Sequence, residues 1–463
     1  MLRSLASEFV TCNLSDQRLT NRLINLVESI SENPELSINA ACGSFAASKA
    51  AYRFFQNPKV TPESIMLGHR LKTKERCSEK AKRILVIQDT TDLIYTQFPS
   101  IEDLGIKIRS KEGFKHDVRG LMLHTSFAVS SEGVPLGILK QTTFTYDEIK
   151  AKRGQAETCM RGINKTIPIE EKASHRWIEH LKDANQLCCD FNNQVVHVAD
   201  RECDIYEFLQ VAFNEKAQFV VRSSANRRTD EGSDSSTIDE KLAASPNLGV
   251  VTVKKDSEDR TCQIRSITTY LRPPQRSSRA KSIPLEPLSV GVVEVREVVE
   301  NKDPIHWRLL TNLPVKTFEA ALEIVEIYRQ RWSIECFHRI LKSGFGVEKA
   351  RFKNRKRIEN LASVLSIVSW HIFWLYQLGR NLPSLDANKI FDKITIAVLK
   401  KSASQVKVLI GKRLSIADAL IIIAKLGGFL ARRGDGNPGM INIWRGWRRL
   451  HERIALMEAI TYG

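Results

Sequence analysis

The chain has 463 residues, of which 42% are hydrophobic, and it carries a formal net charge of +17 at pH 7. This length predicts two to four domains, and the hydrophobic content is sufficient for ordinary buried cores. The positive charge and the pI of about 9.5 favour a polyanionic partner, of which nucleic acid is the commonest. A ribosomal or membrane-facing protein would carry a similar charge.

Cysteine usage and apolar segments indicate a cytosolic protein. The nine cysteines form no CxxC pair and no zinc-like spacing, so we expect reduced thiols rather than disulfides or a structural zinc ion. The N-terminal sequence lacks the apolar run of a signal peptide. The longest apolar stretch, residues 364–378, is short and interrupted by Ser and His, which predicts a buried helix rather than a membrane span.

Residues 1–68 are predicted to form a helical module. The segment LSDQRLTNRLINLVESI has apolar residues at helical spacing, and GSFAASKAAYRFFQNP projects Lys49 and Arg53 from a second helix. Thr61 and Pro62 then provide the N-cap and first position of another helix. A small basic module of this kind suits DNA binding, and a helical packing domain fits the same residues equally well.

From residue 84 the pattern alternates between strands and helices. The order is strand (ILVIQDTTD), hairpin, helix, strand (VVHVA), helix, strand (QFVVRSS) and, after a long interval, a further helix. The interval, about 225–316, shows β-like alternation and a Pro-Pro segment at 271–282, which predict a β-rich insertion with a mobile basic loop. Residues from about 372 onward are again predicted to be helical.

Three acidic residues are placed where this order would bring them together. Asp89 is predicted to end the first strand, Asp200 follows the fourth strand, and Glu335 lies on the last helix. Functional residues of open α/β sheets lie at the carboxyl ends of central strands. Three carboxylates in one cleft repel each other unless a cation lies between them, and Mg²⁺ or Mn²⁺ suits such oxygen ligands. Asp92 and Asp204 are alternative ligands, each beyond its predicted strand end.

The stretch IYRQRWSIECFHRILK (327–342) is predicted to be one helix with two distinct faces. At about 100° per residue, four polar residues share one side: Tyr328, Arg331, Glu335 and Lys342. A separate apolar stripe is predicted to pack on a core: Ile327, Ile334, Phe337 and Leu341. Two divalent ions about 3.5–4 Å apart suit in-line displacement at a phosphodiester, and the cations of this helix would then hold phosphate oxygens.

Three motifs carry a family resemblance: DTT at 89–91, ADRECDIYEFL at 199–209, and the Tyr-x2-Arg-x3-Glu-x6-Lys spacing that ends at Lys342. Together they resemble the insertion-sequence DDE transposases of the IS4 family, the class that includes the transposase of transposon Tn5. The segments GSFAASKAAYRFFQNPKVTPESI, FVVRS and AKLGGF are also similar to their counterparts in that family.

The resemblance implies an α/β fold with a ribonuclease-H-like mixed sheet and a β-rich insertion, flanked by helical regions. It implies a DNA-binding domain over 1–68, a catalytic domain over 69–371 and a dimerisation domain over 372–463. It also implies a catalytic and metal-binding triad: Asp89, Asp200 and Glu335. Five residues are implied to contact DNA, the last by stacking on a flipped base: Tyr328, Arg331, Lys342, Arg222 and Trp307.

The reaction implied by the resemblance is cut-and-paste transposition. It comprises nicking of the 3′ strand at transposon ends with Mg²⁺ or Mn²⁺ (two ions), hairpin formation and opening, and strand transfer to target DNA. The implied partners are double-stranded DNA, as terminal repeats and as target, and a second copy in a homodimeric synaptic complex. We expect no membrane partner and a cytoplasmic, nucleoid-associated location. The alternatives are a non-cleaving DNA-binding regulator or inhibitor and a ribonuclease-H-like nuclease of another kind.

Overall fold

The computed structural model describes residues 5–12, 14–32, 36–79, 83–108, 117–148, 167–229, 236–255, 258–276, 282–299 and 302–462. In these residues a 3-10 helix (Leu5–Glu8) and four α-helices precede the first strand: α1 (Gln17–Glu32), α2 (Ile38–Ala41), α3 (Phe45–Gln56) and α4 (Pro62–Ser78). The predicted start of α4 is confirmed, because Thr61 and Ser64 form a reciprocal capping box with Pro62 in the first turn. The first region of the chain is therefore helical, as predicted.

Ten strands form one mixed sheet in the described part of the chain: β1 (Ile84–Ile94), β2 (Gly105–Ile108), β3 (Val118–Ser130), β4 (Pro135–Phe144), β5 (Val195–Ala199), β6 (Gln218–Arg222), β7 (Gly249–Lys255), β8 (Glu258–Leu271), β9 (Leu288–Glu297) and β10 (His306–Thr311). The strand order is β2-β3-β1-β5-β6-β10-β9-β8-β7, with β4 paired to β3. Strands β1, β5 and β6 are parallel, and the other pairings are antiparallel. The predicted ribonuclease-H-like α/β fold is thus confirmed.

The β-rich insertion extends the central sheet. Strand β10 pairs with β6, and β9, β8 and β7 follow outward as an antiparallel array. The insertion therefore continues the same hydrogen-bonded sheet as β1, β5 and β6. Residues 277–281 of the predicted mobile loop lie outside the described residues.

Nine further helices follow β4 in the described residues: α5 (His175–Leu187), α6 (Tyr206–Asn214), α7 (Ile238–Ala244), α8 (Phe318–Arg329), α9 (Trp332–Arg339), α10 (Arg355–Asn381), α11 (Lys393–Gln405), α12 (Ile416–Leu426) and α13 (Met440–Tyr462). The prediction of one helix over 327–342 is wrong. Helix α8 ends at Arg329, a turn at Gln330 and Arg331 separates it from α9, and a π-helical turn at Ile340–Gly344 follows. The predicted apolar stripe is nevertheless buried.

Helix α10 packs against three regions of the molecule. Its Asn360 amide donates to the carbonyl oxygens of Phe55 and Val60 in the N-terminal region, at 3.1 and 3.0 Å. The Trp370 indole donates to Pro135 of β4, and His371 lies 6.2 Å from the Trp447 ring of α13. This helix is long and apolar enough to cross a membrane, but 83% of its apolar window is buried inside the protein, as the sequence predicts.

Two predicted domain limits fall inside helices. The limit at 68/69 lies within α4 and the limit at 371/372 lies within α10. Each of these helices therefore belongs to both of the regions that it joins, and their packing is continuous. Three α13 residues are part of that core, because Trp444, Trp447 and Leu450 are all buried.

Candidate active site

Strand register places Asp89 and Asp200 side by side. Parallel pairing of β1 with β5 ends at Gln88 and Ala199, so the two aspartates are the next residue on each chain. Neighbouring strands lie about 4.8 Å apart. The prediction that Asp89 ends its strand is wrong, because β1 continues to Ile94 through antiparallel pairing with β3. Asp89 instead lies where β1 extends beyond its parallel neighbour.

Helix α9 covers the same face of the sheet and carries Glu335. Its Phe337 ring stacks on Phe127 of β3, with ring centroids 4.9 Å apart. One turn after Glu335, the His338 Nδ1 atom lies 3.8 Å from an Asp89 carboxylate oxygen. The His338 imidazole therefore faces β1, and Glu335 lies three residues earlier on the same side of α9.

The charges of Asp200 and Glu335 both act on the Asp89 carboxyl group. Burial, the charge of Asp200 and, to a smaller extent, the charge of Glu335 raise the pKa of Asp89 from 3.8 to about 7. The Thr90 backbone N–H, 2.9 Å from Asp89 Oδ1, and the charge of Arg331 oppose this rise. Like charges close enough to shift a pKa in this way form a concentrated negative site.

The donor set fits a hard divalent cation in its chemistry. The donors are carboxylate oxygens, which hard divalent cations prefer. The charge of Asp200 raises the pKa of Asp89, and a cation bound between the two carboxylates would lower that pKa again. Within the described ranges, however, no three Asp, Glu, His or Cys side chains are arranged closely enough to hold a metal ion. Glu335 instead accepts a hydrogen bond from Arg331. Its carboxylate would have to exchange this partner to share an ion with the aspartates.

A cationic and aromatic cluster adjoins the carboxylates. The Arg331 guanidinium lies 5.7 Å from the Tyr328 ring centre, and the Trp307 ring meets Tyr328 edge-on at 5.2 Å. Arg222, at the end of β6, donates to the His306 carbonyl at 3.0 Å. Burial lowers the pKa of Arg222 and raises that of Tyr328, and a hydrogen bond between the two side chains opposes both shifts.

Four of the five predicted DNA-contacting residues therefore lie together, and two of the four are covered by neighbouring residues. Tyr328 is only 4% exposed, so it supports its neighbours more than it meets solvent. Trp307 is partly buried against the main core. The fifth residue, Lys342, lies in the π-helical turn, 3.6 Å from Glu348, whose carboxylate also accepts a hydrogen bond from the Ile94 N–H at the far end of β1. It thus extends the positive charge along the strand.

The two alternative aspartates have other partners. Asp92 is three residues beyond Asp89 and points to the opposite face of β1, where Tyr146 and Lys107 donate to it. The Asp204 carboxylate is fully buried and bonded to Arg227 and to the 223–225 turn. Both carboxylates are therefore already engaged by neighbouring side chains.

Sequence reasoning did not select two residues that contact the aspartate region. His338 is buried, its pKa is lowered by burial to about 3, and its Nε2 has no hydrogen-bond partner within the described residues. Its spacing from Glu335, three residues, was a usable signal. Arg176 of α5 bonds both Thr90 and Glu202. No local pattern marks that arginine, because its partners are distant in sequence.

Comparison with protein families gives three matches in chain order. Residues 3–60 match the transposase DNA-binding family, residues 168–370 match the transposase DDE domain, and residues 367–462 match the transposase Tn5 dimerisation domain. The chain belongs to the Tn5-like DDE transposases of the IS4 family. The predicted resemblance is thus confirmed.

The transposase is accordingly an enzyme that binds DNA and forms dimers. Its family generally uses divalent metal ions. The DDE match includes Asp200 and Glu335 but begins well after Asp89. The evidence that groups Asp89 with these two residues is therefore the register of β1 and β5 and not the family match.

Proposed function

We propose that this transposase carries out cut-and-paste transposition with Asp89, Asp200 and Glu335 as its catalytic carboxylates. The observation that supports this most is the pKa of Asp89, which burial and Asp200 raise to about 7, with Glu335 adding to the rise. Perturbed carboxylates in a shared cleft are typical of catalytic sites. The steps are nicking of the 3′ strand at the transposon end, hairpin formation, hairpin opening and strand transfer.

The three carboxylates would hold Mg²⁺ or Mn²⁺, which in a two-ion site activates the attacking oxygen and stabilises the leaving oxygen. Asp89 and Asp200 supply ligands from neighbouring segments, each one residue beyond the last parallel pair of β1 and β5. Glu335 supplies a ligand from α9, which packs through Phe337 onto β3. A site built on rigid elements keeps the carboxylates in place through the successive steps.

The cationic cluster would orient the DNA strand. Arg331 and Arg222 can donate charged hydrogen bonds to phosphate oxygens, and Lys342 adds a point charge further along β1. Trp307, edge-on to Tyr328, offers an aromatic surface for a flipped base, and such stacking contributes about 1–3 kcal/mol. The terminal repeats and the target are proposed as the DNA partners, and the cytoplasmic nucleoid as the location.

The deciding experiment is cleavage of DNA that carries the element's own ends. We expect nicked and hairpin products with Mg²⁺ or Mn²⁺ and none in EDTA. An Asp89→Asn protein should bind the same DNA and yield no product. Cleavage by Glu335→Gln at the wild-type rate would refute the assignment.

The second candidate is a DNA-binding regulator that does not cleave. The hydrogen bond between Arg331 and Glu335 favours it, because that contact engages one of the carboxylates that the reaction needs. A regulator would bind the ends with equal affinity with or without divalent ions and release no strand. Product formation in the assay above excludes it.

A further inference from the structure

A largely buried arginine behind the acidic face contacts the segments that carry both aspartates. Arg176 donates from Nε to Thr90 Oγ1 at 3.3 Å and from Nη2 to Glu202 Oε2 at 3.3 Å. Its Nη1 donates to the carbonyl oxygen of Ala173 at 2.8 Å. The guanidinium thus uses all three nitrogens, and two of its three partners lie next to catalytic candidates.

Those two partners each hold one aspartate by a backbone hydrogen bond. The Thr90 N–H donates to Asp89 Oδ1 at 2.9 Å, and the Glu202 N–H donates to Asp200 Oδ1 at 2.9 Å. Asp89 lies on β1 and Asp200 after β5, so their relative position depends on what links these elements beyond the last paired residues. Arg176 is such a link.

Arg176 does not reach the acidic face itself. Thr90 follows Asp89 in the strand and therefore points to the opposite side of the sheet. The Arg176 side chain is 13% exposed and lies 5.2 Å from the Phe144 ring and 5.6 Å from the Trp177 ring. Burial lowers its pKa, and the charges of Glu202, Asp200 and Asp89 are among those that oppose this shift. The guanidinium is thus held from behind by aromatic rings.

We propose that Arg176 is a positioning residue, which sets the spacing of Asp89 and Asp200 through Thr90 and Glu202 and thereby the affinity of the acidic face for a divalent cation. This inference rests on the proposed function. A planar guanidinium can bond several partners in a fixed geometry, whereas an ammonium group acts as a point charge. Residues that orient metal ligands typically change metal affinity 10- to 100-fold when they are replaced.

The test uses Arg176→Lys, which keeps the charge and loses the forked hydrogen bonds. Keeping the charge matters, because removing a nearby cation would by itself favour metal binding. The matched control is Arg70→Lys, since Arg70 anchors the same helix through Asp183 at 2.7 Å and touches neither aspartate region. Thr90→Val is a second variant, which keeps the N–H that bonds Asp89 and removes the hydroxyl, whose contacts are Arg176 at 3.3 Å and the buried His124 Nδ1 at 2.8 Å.

The probe is Mn²⁺, added to the protein in complex with DNA carrying the element's ends. Three quantities are measured: the Mn²⁺ Kd from the electron paramagnetic resonance of the free ion, the Mn²⁺ concentration for half-maximal cleavage, and the Tm. We expect Arg176→Lys and Thr90→Val to raise both Mn²⁺ values about 10- to 100-fold. Arg70→Lys should lower Tm without changing either Mn²⁺ value.

Wild-type Mn²⁺ affinity in both Arg176→Lys and Thr90→Val would overturn the inference, even if their Tm fell, because the arginine would then serve stability alone. A wild-type protein that neither bound Mn²⁺ nor cut DNA would instead overturn the proposed function. The two failures are therefore distinguishable in one set of measurements.

Discussion

Arg331, in the turn that separates α8 from α9, donates a hydrogen bond from Nη2 to Glu335 Oε1 in the first turn of α9, at 2.5 Å. The same guanidinium lies over the Tyr328 ring, so it connects the aromatic cluster to the carboxylates. While Glu335 is paired with Arg331, its carboxylate attracts a metal ion less strongly, because the guanidinium offsets its negative charge. We infer that ion binding and release of Arg331 toward a phosphate are coupled.

Replacing Arg331 by Ala should therefore separate two effects. Loss of a charged hydrogen bond to phosphate should cost about 1.5–3 kcal/mol, which is roughly a 10- to 100-fold lower cleavage rate at saturating metal. The Mn²⁺ affinity should stay equal or increase, because Glu335 loses its cation partner. Steady-state cleavage and Mn²⁺ binding measure the two. Arg329→Ala, which breaks only an exposed pair with Glu326, is the control and should change neither value.

Asp89→Asn should abolish cleavage. In EDTA at high pH, the same variant should be more stable to unfolding than the wild type. A raised pKa means that ionisation of Asp89 is disfavoured in the folded state. This penalty is absent below the ordinary value of 3.8, grows between 3.8 and about 7, and is complete above about 7. Thermal unfolding from pH 4 to pH 8 should show a gain in Tm for the variant that increases with pH. A variant less stable than wild type at pH 8 would contradict the raised pKa.

Asp200→Asn and Asp204→Asn should have opposite consequences. Asp200 is partly exposed, so its variant should fold normally and fail to cleave DNA. Asp204 is buried with Arg227, and leaving that cation unpaired should cost about 3–5 kcal/mol of unfolding free energy. Urea denaturation and the cleavage assay distinguish them. If Asp204→Asn were as stable as wild type, the structural role assigned to Asp204 would be contradicted.

Trp307→Ala should slow hairpin formation more than the first nick, because the ring is proposed to stack on a flipped base. The expected loss is about 1–3 kcal/mol in the hairpin step. Trp307→Phe keeps an aromatic ring against Tyr328 and should retain most of the rate. Quenched time courses on end DNA resolve the two products. An equal slowing of both steps would indicate that Trp307 only supports Tyr328.

Glu8 should stabilise the N-terminal region at neutral pH and lose that effect in acid. It is buried and bonds Arg76 at 2.7 Å and His69 at 2.6 Å. Burial alone would raise its pKa, but these two partners lower it from 4.5 to about 2. The stabilisation is therefore complete above 4.5 and falls as the pH drops toward 2. Glu8→Gln should cost about 3–5 kcal/mol at pH 7 in urea denaturation, with exposed Glu75→Gln as the control.

The sequence predicted the helical ends, the α/β core and the apolar stripe of 327–342, because local periodicity carries that information. It could not predict that β1 continues past Asp89. The apolar run stops at Ile87, and the polar residues after it are strand only because β3, about 35 residues away, pairs with them. Similarly, the turn at Gln330 and Arg331 contains no Gly or Pro, so no local signal marked the end of α8.

The candidate site shows the same division. Asp200 and Glu335 could be chosen from order and spacing, whereas Asp204 could be set aside only after its bonds to Arg227 were known. Arg176 gave no signal, because its contacts to Thr90 and Glu202 join segments 86 and 26 residues away. Contacts at such separation arise from the tertiary fold.

The course of α10 limits what deletion experiments can reveal. Ending the chain at residue 371 would cut this helix and remove Phe373, whose ring stacks on Phe127 beneath the candidate site. The catalytic sheet would then lose part of its own interior together with the C-terminal helices. Inactivity of such a shortened protein would therefore reflect the damaged core rather than the loss of dimerisation. Point substitutions on the outer surface of α13 are a better test of whether a second subunit is needed.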